Sequence, residues 1–427
     1  MNQLSTSVPP SRSPAGRGFV LAMLLVVYIF NFLDRQILSI LAAPIQAELQ
    51  LDDGEMGLLG GFAFALLYST LAVPLAWLAD RTSRSWVITI SLVAWSGFTA
   101  ICGFAQNFWQ IFLARLGVGV GEAGGVAPSY AIIGDYFPSN RRSFALAIYS
   151  LGIPVGSAAG VFFGAQIAAR FDWRAAFITV GLVGVLIAPI FKWIVRDVPR
   201  PAAAATHSQP RFLDVARLLA RRPAFWLLSF GAASGSMLGY GLAFWLPSIL
   251  QRSFGLGLVE TGQFYGALLL LGGVTGVMLG GWLGDRLGAR DKAWYAWLPA
   301  LAYSVGALFY VAAFNSGSTT LAFALFLIPQ ALALVWLGPV LSAVQHLVEP
   351  QLRATASALF LLINNLVGLG GGIYALGALS TALGPVYGDN ALLVSATWSL
   401  ALYGLAALLM ALAGPRLRTA WVSEKAA

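Results

Sequence analysis

Charge is scarce in this sequence. Asp, Glu, Lys and Arg make up 10% of its 427 residues and hydrophobic types 59%, whereas soluble domains carry about 25% charged residues. With a mean hydropathy of +0.79, the chain would not stay dissolved in water. Cysteine is reduced to Cys102, which excludes an internal disulfide. Histidine is reduced to His207 and His346, neither with the Cys, His or acidic company of a metal site, so no metal and no cofactor is expected. HExxH and GxSxG are both missing. Gly119 to Gly124 fits GxGxxG, but it lies in an apolar helical stretch with no strand before it, so it is not a dinucleotide site. No nucleophile and base stand together, and no enzyme is expected.

Long apolar runs are present instead. A bilayer core needs about 20 apolar residues per helix, and such segments recur twelve times between residues 18 and 414. The one long polar connection, 196–222, is rich in Pro, Ala and Arg and divides them six and six. The expected organisation is a disordered cytoplasmic segment at 1–17, a six-helix bundle at 18–195, a cytoplasmic linker at 196–222, a second bundle at 223–414 and a cytoplasmic tail at 415–427. The run from Gly18 has the outline of a signal peptide, with Arg12 and Arg17 before it. Asn31, Asp34 and Arg35 inside it fit a retained first helix better.

The net charge of +8 would suit a nucleic-acid partner, but its placement explains it otherwise. With the N-terminus cytoplasmic, about twenty of the 25 Lys and Arg fall in inner segments, while the outer loops hold only Arg170, Arg174 and Arg252. That is the positive-inside bias of a multi-pass membrane protein, and nucleic acid is not needed. Short loops and termini suggest a bacterial inner membrane.

The two halves repeat. GEMG at 54–57 is echoed by VETG at 259–262, and AWLADR at 76–81 by GWLGDR at 281–286, with one offset; Pro138 to Arg141 is echoed by Pro350 to Arg353. The expected fold is therefore an all-α membrane protein of twelve transmembrane helices in two pseudo-symmetric six-helix bundles. Such an architecture transports, with its site near the midplane between halves.

Four charges lie deep: Asp34, Arg35, Arg115 and Glu122. At about 100° per residue, Arg115, Gly119, Glu122, Val126 and Ser129 form one stripe, with Gly117, Gly121 and Gly124 opposite for close helix approach. Tyr28, Asn31, Asp34, Arg35 and Leu38 share a sector of the first helix. Each ionised group at a helix centre costs roughly 2.5–3.5 kcal/mol on insertion scales, and mutual pairing lowers that cost. Burial raises a carboxyl pKa and a nearby arginine lowers it, so Asp34 and Glu122 are candidates for proton coupling, with Arg35 and Arg115 as charge partners or headgroup binders. A static brace is the competing reading. The repeat-related positions of the second half hold Gly239, Leu327 and Leu334, without charge, which favours a coupling role confined to one half.

Asp80, Arg81 and Arg84, echoed by Asp285 and Arg286, suggest an intracellular latch, joined by Asp135 and Arg142. Candidate cavity-lining residues are Tyr28, Asn31, Ser129, Tyr240, Phe244, Trp245, Asn364 and Asn365. Pro154 within GIPVGS is expected to bend the fifth helix.

These residues carry a resemblance. AWLADRTSR, GWLGDRLGAR and Arg115-x-x-x-Gly119-x-Gly121 resemble the major facilitator superfamily over essentially the whole chain, with Ala76 and Ser85 departing from its loop pattern. NFLDRQILS, RLGVGVGEAG with APSYAIIGDYFP, and GIPVGS resemble the spinster family more specifically. That resemblance implies the major facilitator fold and proton-linked, alternating-access movement of lysophospholipids or sphingoid lipids, with Asp34 and Glu122 as key acids. The expected partners are protons, an amphiphilic substrate and the bilayer, in a monomer. A carrier of a small organic anion or drug-like compound is the nearest alternative; a receptor or scaffold would transport nothing.

Overall fold

The structure, a computed structural model, describes residues 16–198, 212–349 and 352–422. Arg12, Arg200, His207, Arg211, Pro350 and Lys425 lie outside these residues, as does nearly all of the segment expected to be disordered. Among the described residues there are helices and no strand.

The spanning helices are α1 (Arg17–Ile40), α2 (Asp53–Arg81), α3 (Arg84–Cys102), α4 (Phe108–Tyr136), α5 (Phe144–Arg170), α6 (Trp173–Ile194), α7 (Pro223–Arg252), α8 (Leu258–Arg290), α9 (Trp294–Phe314) and α10 (Thr319–Gln345). The last apolar stretch, Thr355–Ala420, turns at Gly388 and holds two more, α11 ending at Tyr387 and α12 beginning at Ala391. Polar side chains start several of them. Ser83, Asn107 and Asp172 accept hydrogen bonds from the backbone of Trp86, Gln110 and Ala175, and Asp52 forms a capping box with Glu55. Each cap satisfies an amide that lipid could not.

The packing repeats with the sequence. Helices α1 and α5, α2 and α4, and α3 and α6 pair in the first half, as do α7 and α11, α8 and α10, and α9 and α12 in the second. The halves meet where α5 lies on α8 and α2 lies on α11, again related by the same exchange.

Four spanning helices are less continuous than their apolar patterns suggest. The path of α4 turns at 123–125, α5 at Leu151, α10 at 333–336 and α12 at Leu400. One device explains the first three: the resumed segments begin Val126, Gly152 and Leu337, and each has proline at its third position, Pro128, Pro154 and Pro339. Proline lacks the N–H that would bond back across the break. In α5 the break thus precedes Pro154. In α4 it falls directly after Glu122. At Gly121 an added Cβ would collide with the Trp95 backbone nitrogen, so α3 lies directly against that turn.

The face carrying the 196–222 linker is called the linker face below, and its opposite the far face. Where α5 meets α8, Gly262, Gly266 and Gly273 rest on Ala165, Ala158 and Pro154. Nearer the linker face, Gly276, Gly280 and Gly284 turn to Ala331, Val335 and Pro339 of α10. The described contacts between halves thus concentrate from the midplane to the far face.

Candidate functional site: a charged cluster inside the first half

The four deep charges come together. Arg35 Nε donates to Glu122 Oε2 at 2.7 Å, linking α1 to α4. Asp34, one position earlier and so about 100° away, turns to α3, where Thr99 Oγ1 stands 2.5 Å from Asp34 Oδ2 and 2.9 Å from the Trp95 carbonyl. A hydroxyl has one hydrogen to give, so Thr99 serves one acceptor at a time. Glu122, Arg115 and Arg35 all act electrostatically on Asp34. Asp34 is 2% exposed, Arg115 2% and Glu122 0%, whereas the Arg35 side chain keeps 15%.

The arginines differ in company. The Arg35 guanidinium carbon lies 5.0, 4.7 and 4.5 Å from the ring centres of Phe32, Phe64 and Tyr68. Each ring adds a cation–π attraction of about 0.5–2 kcal/mol to the pairing with Glu122. Arg115 has only Phe64, at 5.4 Å, and its Nε and Nη1 are buried without a hydrogen-bond partner among the described residues. The same holds for Asn31 Oδ1, Asp34 Oδ1, Arg35 Nη2 and Glu122 Oε1. Buried polar atoms seldom stay unsatisfied, at about 1–3 kcal/mol each and more when charged. Six of them gather in this one cluster of the first half.

A tyrosine wall adjoins the cluster. Tyr28 stacks on Tyr149, with centroids 4.2 Å apart, and Tyr130 packs edge-on against Tyr149. Ser129 Oγ donates to the Gly125 carbonyl at the α4 break. From the second half, Tyr240 is half-buried and within electrostatic reach of Arg35 and Tyr68. The other candidate lining residues lie differently. Trp245 is fully buried and donates to the Ile373 carbonyl at 2.9 Å. Phe244 is buried, crowds against Gly60 of α2 and accepts Ser39 Oγ at its carbonyl. Asn364 is buried and accepts from Ser236 at 2.9 Å, while Asn365 is half-buried.

At the linker face, Arg84 bridges Asp80 and Asp135, each at 2.7 Å. Arg142 Nη2 donates to the Gly134 carbonyl. Arg81 lies over Trp77 and Arg286 over Trp282, and Asp285 acts on Tyr295.

Sequence reasoning missed two groups. Thr99, Phe64, Tyr68, Tyr130 and Tyr149 were hidden among ordinary apolar and aromatic helix residues; the i, i+4 pair of Phe64 and Tyr68 was the only trace. The far-face seal was missed entirely. Asp53 of the first half takes both Arg252 Nη atoms at 2.9 Å, and also accepts from Gln46 at 2.8 Å and Ser380 at 2.6 Å. Arg252 and Ser380 belong to the second half, so this network joins the two.

The chain is similar to known membrane transporters. A model of the Major Facilitator Superfamily matches residues 24–372. An MFS-type efflux pump of Mycolicibacterium smegmatis is 33% identical over 87% of this chain and 86% of its own. Human protein spinster homolog 1 is 29% identical over 87% of this chain and 74% of its own length. A crystal structure of a bacterial homologue of the human lysosomal transporter Spinster, inward-facing and unoccupied, superposes with a TM-score of 0.87 at 29% identity, over 97% of this chain and 100% of that one. Twelve helices in two repeated bundles, with a charged cluster inside the first, therefore belong to a multi-pass membrane transporter, and the chain is a spinster-like member of the Major Facilitator Superfamily.

Proposed function

We propose that this transporter moves an amphiphilic, lipid-like solute, of lysophospholipid or sphingoid type, by proton-coupled alternating access. The observation that carries the reading is the set of unsatisfied buried polar atoms on Asp34, Arg35, Arg115 and Glu122. Glu122 and Asp34 take and release the proton. Protonation of Glu122 frees Arg35, which its aromatic cage retains, and Arg115 meets the anionic part of the substrate. Tyrosines and Phe64 offer the apolar body a surface beside that charge.

In this reading the Asp53–Arg252 seal closes the outer side, the linker face is cytoplasmic, and the membrane is a bacterial inner membrane. Residues 196–222 serve as the connection between independently moving halves, and the protein works as a monomer. Asp80, Arg81, Arg84, Asp135 and Arg142 would latch onto the Asp285–Arg286 end of the second half when the cavity opens outward. A second reading, a carrier of a small organic anion or drug-like compound, is favoured by the similarity to the mycobacterial efflux pump.

Reconstituted vesicles under an imposed pH gradient test this. Labelled lysophospholipid should accumulate with the gradient, a sugar acid should not, and Glu122→Gln should lose the gradient dependence. Lipid flux indifferent to both gradient and substitution would overturn proton coupling. Gradient-driven flux of drug-like compounds without lipid flux would favour the second reading.

A further inference from the structure

A groove of about 540 Å³ opens between α3 and α6 at their linker-face ends, remote from the charged cluster. Its walls are Trp86, Val93, Pro189 and Trp193, and its rim carries Lys192 and Arg196. Trp86 is 52% exposed and Trp193 68%, and Ile90, Leu186 and Ile190 around them are also exposed. This is the lipid-facing surface of the bundle. From Trp86 to Val93 is seven helical residues, or about 10 Å of depth at 1.5 Å per residue. The groove therefore starts at the aromatic interfacial level and continues into the acyl region.

The rim is polarised. Lys192 Nζ donates to Ser85 Oγ at 2.5 Å and lies 5.0 Å from the Trp86 ring centre, which leaves further ammonium hydrogens unused. The Arg196 side chain is exposed, while its backbone carbonyl is held by Tyr136 Oη at 2.7 Å. One carboxylate is near, that of Asp197. Its Oδ1 accepts from the Ser85 amide and its Oδ2 from the Ser83 and Ser85 hydroxyls. Burial pushes the Asp197 carboxyl up, but these donors and Lys192 hold it below its ordinary value. Asp197 is thus turned toward the start of α3, and the rim keeps a net positive charge.

We propose that this groove binds an anionic phospholipid of the surrounding bilayer, with its phosphate on Lys192 and Arg196 and an acyl chain along Trp86, Val93 and Pro189. Basic pockets between membrane helices, flanked by interfacial tryptophans, suit anionic headgroups. A bound lipid would fasten the α3–α6 edge of the first half to its leaflet while the halves move.

Native mass spectrometry of the full chain in detergent, titrated with phosphatidylglycerol or phosphatidylcholine, tests the site. Phosphatidylglycerol should be retained in preference. Lys192→Gln with Arg196→Gln should lower its affinity roughly thirtyfold. Val93→Trp, which fills the groove without altering charge or topology signals, should also displace it, and Glu122→Gln should not. Equal retention of the two lipids, or loss with the charge variant but not with Val93→Trp, would overturn the groove. Competition by millimolar inorganic phosphate as effective as that by the lipid would identify an anion site and overturn the lipid assignment.

Discussion

Two ion pairs of similar length stand in contrast. Arg35–Glu122 measures 2.7 Å, lies within the first half, and leaves Glu122 fully buried. Asp53–Arg252 measures 2.9 Å, joins the two halves, and leaves side-chain exposures of 11% and 29%. Rigid motion of the halves must break the second and need not disturb the first. In the proposed cycle the buried pair would respond to protons and ligand, and the far-face pair to movement of the halves. A transporter needs both kinds, and coupling means that a change at one alters the free energy of the other.

The largest expected effect comes from breaking the buried pair. Glu122→Gln leaves the Arg35 cation without its counter-charge, and losing one partner of a buried pair costs about 3–5 kcal/mol. Gradient-driven flux in vesicles should disappear, and the thermal midpoint in detergent should fall. Unchanged coupled flux would make the pair a brace.

Arg115 sharpens the contrast from the other side. Its Nε and Nη1 have no hydrogen-bond partner among the described residues, yet its charge acts on Asp34, so Arg115→Met removes counter-charge but no hydrogen bond seen at those two atoms. The thermal midpoint of the substrate-free protein should fall less than in Glu122→Gln, while substrate-induced stabilisation, read by thermal shift, is lost. Retained substrate-induced stabilisation would show Arg115 to be structural.

The far-face pair should give a smaller, conformational effect. Asp53→Asn in a Cys102→Ser background weakens one part-exposed network, worth about 1 kcal/mol, or roughly fivefold in population. Spin labels at positions 82 and 289, exposed on the two halves at the linker face, should show more of the short-distance state. An unchanged distance distribution would remove Asp53 from the seal.

The smallest effect lies at the C-terminal end of α12. Arg418 hydrogen-bonds Asp291 and holds its carboxyl down to about 2. A depressed carboxyl contributes fully above its ordinary range and loses that contribution only as pH falls through the lowered value. Any difference in thermal midpoint between wild type and Arg418→Gln should therefore stay constant from pH 8 to pH 5. A difference that shrinks over that interval would contradict the pairing.

How much of this was legible depended on the kind of signal. Twelve apolar runs, the six-and-six division and the repeated Asp-Arg ends required only hydropathy and charge counting. Asp34 and Glu122 stood out because lipid makes a misplaced charge expensive. Three of the helix breaks were also legible in principle, since Pro128, Pro154 and Pro339 are plain in the sequence; the turn of α12 at Leu400 has no such mark. The cage around Arg35 was not. Phe64 and Tyr68 resemble any aromatic residues of a membrane helix until α2 is laid beside α1 and α4. Arg252 looked like one loop charge among others because its partner, Asp53, lies 199 positions away.

The sequence alone determined that this chain spans a membrane in two repeated halves and carries its deep charges in one of them. Solvation free energy acts on each residue separately, so composition and order suffice to read it. Tertiary structure decided which arginine is both paired and caged by rings, which keeps nitrogens without a hydrogen-bond partner, and where an ion pair joins the halves. Those outcomes depend on distances of a few ångströms between helices far apart in sequence, and no local pattern encodes them.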